Sequence, residues 1–460
     1  MSTRIVVVGS GTAGARLAQR LPVTLLGEEP HAPYNRVLLA DVLAGRYASE
    51  VIALPELREP MRRGVRAVRI DRAARVVECA DGTTVGYDRL VLATGSNPVL
   101  PPLRGLRGFR LPVGVHPFRT LDDCLELRAL VRPGVRAVVI GGGLLGVSAA
   151  RALAALGAEV VLTQQGERLM ERQLDAQASA LLRDHVEALG VEVHTECRVS
   201  GLRQADGAVT AVELADGFVL DAQVVVLACG VRPRVGLAQD AGLDVAKGIV
   251  VDDELRTSDP YIHAIGDCAE HAGRVYGLAG PALEQADALA DLLRAEAEAL
   301  PPGPRSTDAR TPEPLSAEDG TPVTAGPGDR TPETLRADAR TPQTPRPDGQ
   351  APEAPRPEPA PRPAYTGTRA LTRLTLGGPV ALDLAAFGEA TPLPGDEVVQ
   401  LTDATRRAYR KVVVRGDRLV GGVLLGDLAA VGTLARAWEG DEALPDDAPL
   451  LHLLTHDGGS

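Results

Sequence analysis

The chain has 460 residues, a mass of 48.1 kDa and a net charge of −12, with 44% apolar and 24% charged residues; at roughly 100 to 200 residues per domain it has room for about three domains. The acidic balance weighs against a role on nucleic acid or an anionic membrane and favours a soluble enzyme. No apolar run approaches the roughly 18 to 20 residues of a membrane span, and Met1-Ser2-Thr3-Arg4 leads straight into a strand pattern with no signal-peptide region. Lysine chemistry has only Lys247 and Lys411 to draw on. The five cysteines, Cys79, Cys124, Cys197, Cys229 and Cys268, are dispersed, with no CxxC and no metal-ligand spacing. They read as reduced cytoplasmic thiols, and no metal site is expected.

The first apolar run, Ile5 to Val8, predicts a buried strand. Gly9-Ser10-Gly11-Thr12-Ala13-Gly14 follows it directly and precedes a helical stretch from Ala15 to Leu21. In that setting the first glycine permits a tight turn, the second lets the backbone approach a pyrophosphate, and the third allows close helix-strand packing. The next strand, Val23 to Leu26, ends at Gly27-Glu28-Glu29, where a carboxylate would accept hydrogen bonds from a ribose; Glu28 is the first choice and Glu29 the second. Val65 to Leu92 predicts a hairpin turning at Cys79 to Thr83, and its last run, Leu90 to Ala93, leads into Thr94-Gly95.

A strand at Ala137 to Ile140 then meets Gly141-Gly142-Gly143-Leu144-Leu145-Gly146, 132 residues after the first motif, with a helix from Leu144 to Leu156. Two such motifs imply two dinucleotides. The following strand, Val160 to Leu162, ends in Thr163-Gln164-Gln165, without the carboxylate that favours NAD or an immediate arginine that favours NADP, and nearby Arg168 reads as a surface or helix-entry residue. Nicotinamide preference stays open. A helix at Asp175 to Leu189 and strands at Val224 to Ala228 and Ile262 to Ile265 follow. The last strand delivers Asp267 to a loop where its carboxylate can bind a polyol hydroxyl while Gly266 admits the cofactor chain, which makes the first dinucleotide a flavin. These mostly continuous apolar runs, alternating with helices, predict an α/β fold with doubly wound parallel sheets. Residues 301 to 364 hold 17 of the 36 prolines and no aromatic residue, and predict a disordered linker. From 365 to 460 pattern returns, with a run at Leu371 to Leu382 and a hairpin of Arg410 to Arg415 and Arg418 to Leu425 around Gly416-Asp417.

The order GxGxxG, ATG, GxGxxG, ACG, GD resembles the FAD-dependent pyridine-nucleotide reductases of two-dinucleotide, glutathione-reductase-like architecture, over roughly residues 1 to 300. Within them, Pro33 to Leu39, Leu169 to Asp175, Pro281 to Ala286 and Tyr365-Thr366-Gly367 resemble the flavin module of NAD(P)H-dependent assimilatory nitrite reductases, and Tyr409 to Asp427 resembles the small domain that follows it there. The resemblance implies an FAD domain from 1–115 and 240–300, an NAD(P) domain at 116–239 inserted in it, the linker at 301–364 and a small α+β domain at 365–460. It implies that Gly9, Gly11, Thr12, Gly14, Glu28 or Glu29, Arg36, Thr94, Gly95, Gly266 and Asp267 hold FAD. Gly141, Gly143, Leu144 and Gly146 would hold NAD(P)H, with Ser148 and Gln285 as candidates near the nicotinamide.

The implied activity is that of a cytoplasmic FAD-dependent NAD(P)H oxidoreductase. It would pass electrons to a separate redox protein, a nitrite or nitrate reductase component or a ferredoxin-like carrier, and a homodimer is compatible with it. The alternatives are a ferredoxin or rubredoxin reductase unconnected with nitrogen assimilation, and a flavin-bound sensor or assembly protein without catalysis. Departures from the family pattern bear on this choice. Ser148 stands where related reductases carry a glutamate, and Ala40-Asp41 where many carry a lysine. No cysteine follows Cys268, so nitrite chemistry at an iron-sulfur or sirohaem centre is expected elsewhere. Without a CxxC or CxxxxC facing the flavin, electrons would leave through the flavin edge or to a small diffusible acceptor. Seven arginines between Arg58 and Arg75 form a basic island, read either as solvated loop charge or as a docking patch for an acidic carrier. His31 and His116 read as loop histidines and Cys268 as a small buried thiol.

Overall fold

The computed structural model describes residues 3–106, 110–299, 364–378, 381–441, 443–444 and 454. The expected linker at 301–364 lies, but for its last residue, outside the described residues.

Two five-stranded, wholly parallel sheets form the body. The first runs Ile262–Ala264, Arg89–Leu92, Ile5–Val8, Thr24–Gly27, Arg62–Arg63 in space. The second runs Val191–His194, Glu159–Thr163, Arg136–Ile140, Val224–Leu227, Val115–Pro117. In the second sheet Ala137, Val139, Val224 and Val226 pack with the helices and Val138, Ile140, Val225 and Leu227 with the antiparallel ladder Val199–Ala205, Ala208–Leu214 and Val219–Asp221, so the central strands are buried on both sides, as are Leu90, Val91 and Leu92 of the first sheet, all 0% exposed. This is why the sequence shows continuous apolar runs and not alternation. The chain leaves the first sheet after Arg89–Leu92, builds the second, and returns to close the first with Ile262–Ala264. The outgoing strand Ser96–Pro98 and the returning strand Val231–Pro233 pair antiparallel at the crossing, so the second α/β unit is inserted in the first.

Several boundaries differ from expectation for local reasons. The first helix is Thr12–Arg20, three residues earlier than predicted, because Gly11 in extended conformation already serves as its N-cap and brings Thr12 to Gly14 into the first turn. Asp175 is a cap and not a helical residue: its Oδ1 accepts from Ala178 N at 3.0 Å at the head of Ala176–Ala188. The expected hairpin before Arg89 is a three-stranded antiparallel meander, Ala67–Asp71, Val76–Cys79 and Thr84–Gly86.

After residue 364 the chain forms a five-stranded antiparallel sheet, ordered Leu371–Leu376, Leu382–Gly388, Arg418–Leu425, Ala408–Arg415, Glu397–Asp403, with the helix Val431–Glu439. The run expected at Leu371 to Leu382 is broken at Gly377-Gly378 into two strands. Strand alternation divides the side chains between two cores. Ala385, Phe387 and Leu424 pack with Leu434 and Trp438 of the helix, whereas Leu384, Ala386, Val423 and Leu425 join the core formed by the second sheet's helices. A polar clamp reinforces that second seam: Tyr409 and Lys411 both donate to Asp175 Oδ2, at 2.6 and 2.8 Å. Among the described residues no helix is long and apolar enough to cross a membrane.

Candidate functional site

The carboxyl ends of both parallel sheets open into one cleft of about 1900 Å³. The two glycine loops enter it with the same geometry. A Cβ on Gly9 would lie 2.1 Å from Ala93 O, and on Gly141 2.4 Å from Ala228 O; their φ values are +111° and +113°, which only glycine adopts without strain. A Cβ on Gly14 would lie 1.9 Å from Gly9 O, and on Gly146 1.7 Å from Gly141 O, so both positions exist to let helix and strand touch. Gly11 and Gly143 differ in kind, because a Cβ there would meet nothing within 4 Å. Each caps its helix with no side-chain hydrogen bond and no acidic residue in the first turn. Free amide hydrogens and the positive helix end therefore face open space twice over, which fits a pyrophosphate at each loop.

The first sheet's loops place the remaining flavin candidates around the same opening. Glu28 and Glu29 follow the strand Thr24–Gly27, and both line the cleft. Glu29 is committed to Arg36 by an ion pair and accepts from the Tyr34 hydroxyl at 2.6 Å. Burial pushes that hydroxyl well above its usual range, so it remains a donor. Arg36 in turn donates to Arg119 O at 3.0 Å. Glu28 is more open, paired with Arg234 and, at 3.6 Å, with Arg66. Thr94 Oγ1 donates to Arg234 O at 2.7 Å, and Gly95 leaves open space beside it. Asp267 Oδ2 accepts from Ser96 Oγ at 2.8 Å and Arg119 Nη2 at 2.7 Å; Oδ1 is left to the cleft.

Arg119 was not foreseen. The Thr120-to-Asp123 capping box beside it is a legible helix start, but nothing in the sequence links Arg119 to an acid 148 residues away.

Two expected neighbours of the nicotinamide behave otherwise. Ser148 lines the cleft, but its proton goes to Leu144 O at 2.8 Å, the common back-bond of a helical serine. Gln285 is 1% exposed and does not line the cleft. Its Oε1 accepts from Gly266 N at 2.7 Å, so it positions the loop that carries Asp267. Asp41 forms a largely buried ion pair with Arg151 at 2.9 Å, tying the helix Leu39–Leu43 to the helix behind the second glycine loop. In the basic island five of the seven arginines have partners, while Arg62 and Arg63 are exposed. Arg58 donates to Gln19 O, Arg66 reaches Glu28, Arg69 pairs with Glu78, Arg72 with Asp259, and Arg75 stacks on Tyr261.

All five cysteines are free. Cys268 is fully buried, which raises its thiol pKa, and burial pushes Cys229, at the second loop, up to about 11. His31 pairs with exposed Asp122, and burial lowers His116 despite Glu126 nearby; neither lines the cleft.

Residues 3–286 match the family described as pyridine nucleotide-disulphide oxidoreductase, and residues 380–440 match the rubredoxin NAD+ reductase C-terminal domain. The chain is 36% identical over 304 residues to an assimilatory nitrate reductase electron transfer subunit of Bacillus subtilis, covering 62% of this chain and 38% of that protein. It is 32% identical over 461 residues to a nitrite reductase [NAD(P)H] large subunit of Klebsiella oxytoca, covering 96% of this chain and 40% of that protein. It thus spans about two fifths of these relatives' length. A ferredoxin reductase for the CYP199A2 system from Rhodopseudomonas palustris shares the fold, with a TM-score of 0.74, 24% identity and 96% of each chain covered. The chain belongs to the pyridine nucleotide-disulphide oxidoreductase family, and is an FAD- and NAD(P)H-using oxidoreductase that lacks the dithiol sequence motif that the family name advertises.

Proposed function

We propose that the chain draws electrons from NAD(P)H and delivers them to a separate redox protein of nitrate or nitrite assimilation. The observation that carries this is the pair of open glycines, Gly11 and Gly143, facing one cleft, which would let two dinucleotides meet there. In this account residues 1–115 and 240–300 hold FAD, and 116–239 hold the nicotinamide dinucleotide. What bound FAD supplies is hydride acceptance from a nicotinamide and release of electrons one or two at a time.

The chain's own residues bind and orient. Gly9, Gly11, Thr12 and Gly14 present the first helix end to the flavin pyrophosphate, and Gly141, Gly143, Leu144 and Gly146 present the second to its partner. Glu28, the less committed of the two acids, takes the ribose hydroxyls of FAD. Asp267, fixed through Oδ2 by Arg119 and Ser96, offers Oδ1 to the polyol. Arg36, held by Glu29, adds positive charge at the same wall, and Thr94, Gly95 and Gly266 keep backbone close to the cofactor chain. The free thiols accord with a cytoplasmic setting.

The test is anaerobic: the purified yellow protein is mixed with NADH and then NADPH while flavin absorbance is followed, and acceptor proteins are added afterwards. Bleaching by a nucleotide followed by recolouring with a nitrite or nitrate reductase component is the expected result. Recolouring with ferredoxin or rubredoxin alone would instead favour the second reading, to which the match at 380–440 lends support. A flavin that stays yellow would overturn both and leave a binding protein.

A further inference from the structure

In a strand, glycine loop and helix unit, the acid that recognises the adenosine ribose stands at the end of the following strand. In the second unit that strand is Glu159–Thr163, and Gln164, Gln165 and Gly166 follow it. Gln164 is already engaged. Its Oε1 accepts from Gly142 N at 2.8 Å, and its Cβ and Cγ lie 3.0 and 3.2 Å from where a Gly142 Cβ would stand. It braces the glycine loop and is not free to turn to a ribose. Gln165 is exposed and carries no charge.

Gly166 has no positive φ, so its backbone would accept any side chain. What occupies the space is a carboxylate: a Cβ there would lie 2.1 Å from Glu171 Oε2 and 2.7 Å from Oε1. Glu171 sits in the turn before Ala176–Ala188, and that turn is tied to the same glycine loop by Met170 N donating to Gly142 O at 2.9 Å. Gln164, Gln165, Gly166 and Glu171 all line the cleft. No described residue makes a hydrogen bond or ion pair with the Glu171 carboxylate.

We propose that Glu171, folded back over Gly166, is the ribose-recognising carboxylate of the nicotinamide dinucleotide site and makes the chain select NADH over NADPH. The acid missing at the strand end is supplied from the next turn. Its oxygens accept from both ribose hydroxyls, whereas a 2′-phosphate in the same place meets like charge, which must be offset by a cation from elsewhere in the cleft. Arg172, which also lines the cleft, is the cation a 2′-phosphate would use instead, so the two nucleotides pull the assignment in opposite directions.

The inference rests on the second glycine loop holding the nicotinamide dinucleotide, and the experiment separates the two. Calorimetric titration of the flavin-loaded protein with NAD+ and with NADP+ gives both affinities without turnover. We expect NAD+ to bind at least about tenfold more tightly, and Glu171→Gln to weaken NAD+ about tenfold, as loss of charged hydrogen bonds does, while narrowing the ratio to NADP+. Gly166→Ala, which keeps the charge but displaces the carboxylate, gives the same direction, and unchanged flavin absorbance shows that both variants fold. Tighter NADP+ binding by the unaltered protein, or a ratio that Glu171→Gln leaves unchanged, overturns the assignment alone. Binding of neither nucleotide overturns the loop assignment and this proposal with it.

Discussion

Gly11 and Gly14 are three residues apart in one loop, yet alanine at each should fail in a different way. At Gly14 the new methyl would stand 1.9 Å from Gly9 O. The oxygen belongs to the main chain and the methyl is fixed rigidly to its Cα, so neither can turn aside and the helix must move off the strand. Overpacking of this kind typically costs about 1–3 kcal/mol and occasionally more, and the ordinary helical gain of alanine over glycine, about 1 kcal/mol, does not offset a contact this short. We therefore expect a loss of at least about 2 kcal/mol for Gly14→Ala. At Gly11 the methyl meets nothing within 4 Å, and φ of −68° suits alanine; the fold loses only N-cap quality, about 0.5–1 kcal/mol. In the function proposed above the methyl stands where the pyrophosphate would approach, so flavin affinity should fall about a hundredfold or more, or about 2.7 kcal/mol. Urea titration should be made on flavin-free protein, because bound flavin stabilises by mass action and would mix the two effects. The flavin-to-protein absorbance ratio then reads binding separately. Full flavin in Gly11→Ala, or a flavin-free Gly14→Ala as stable as the parent, would refute the division of labour between the glycines.

Arg119→Gln removes the charged partner of Asp267 Oδ2 and leaves Ser96. Flavin retention after dialysis should drop about tenfold, and undiminished retention would exclude Arg119 as the positioning residue. Lys411→Met breaks a largely buried ion pair at the C-terminal seam and should cost about 3 kcal/mol near neutral pH. Burial alone would raise the Asp175 pKa, but hydrogen bonds from Lys411 and Tyr409 lower it. The clamp's contribution is thus present above the unfolded carboxyl value and lost as pH falls through the folded one, so variant and parent should converge in acid; a constant gap down to pH about 2 would argue against the clamp. His263 is 0% exposed, and burial pushes it down to about 4. Its unfolded form takes a proton near pH 6.5 that the folded form refuses, so stability should fall by about 1.4 kcal/mol per pH unit between about 6.5 and 4. Chemical denaturation of His263→Leu at several pH values should show a flatter slope, and an identical slope would locate the effect elsewhere.

The parallel sheets, both glycine loops and the C-terminal hairpin were legible because each is set by neighbours in sequence: continuous apolar runs, a turn that needs glycine, a helix that begins at once. What was hidden depends on residues meeting across long stretches of chain. Nothing near Asp41 announces Arg151, and nothing near Gln285 shows that its amide holds Gly266 N. The pairing of Arg72 and Arg75 was hidden because their partners, Asp259 and Tyr261, arrive from the far end of the fold. The carboxylate over Gly166 escaped notice for the opposite reason: it is only five residues along, but a turn had to bring it back. Arg36, Glu28 and Asp267 were proposed from the sequence and line one cleft, whereas the network of hydrogen bonds that holds them was not legible.

The shared core between the C-terminal sheet and the second α/β unit bears on how the chain is made. The last strand of the second sheet ends at Leu227, yet the apolar seat above its helices is filled by Val423 and Leu425. These lie 196 and 198 residues later than Leu227. At synthesis rates of roughly 5–20 residues per second, the newborn second α/β unit waits roughly 10–40 s with that face bare. During that interval it is a client for chaperones, and a ribosome stalled beyond residue 300 would release a protein with both glycine loops intact and an adhesive flank.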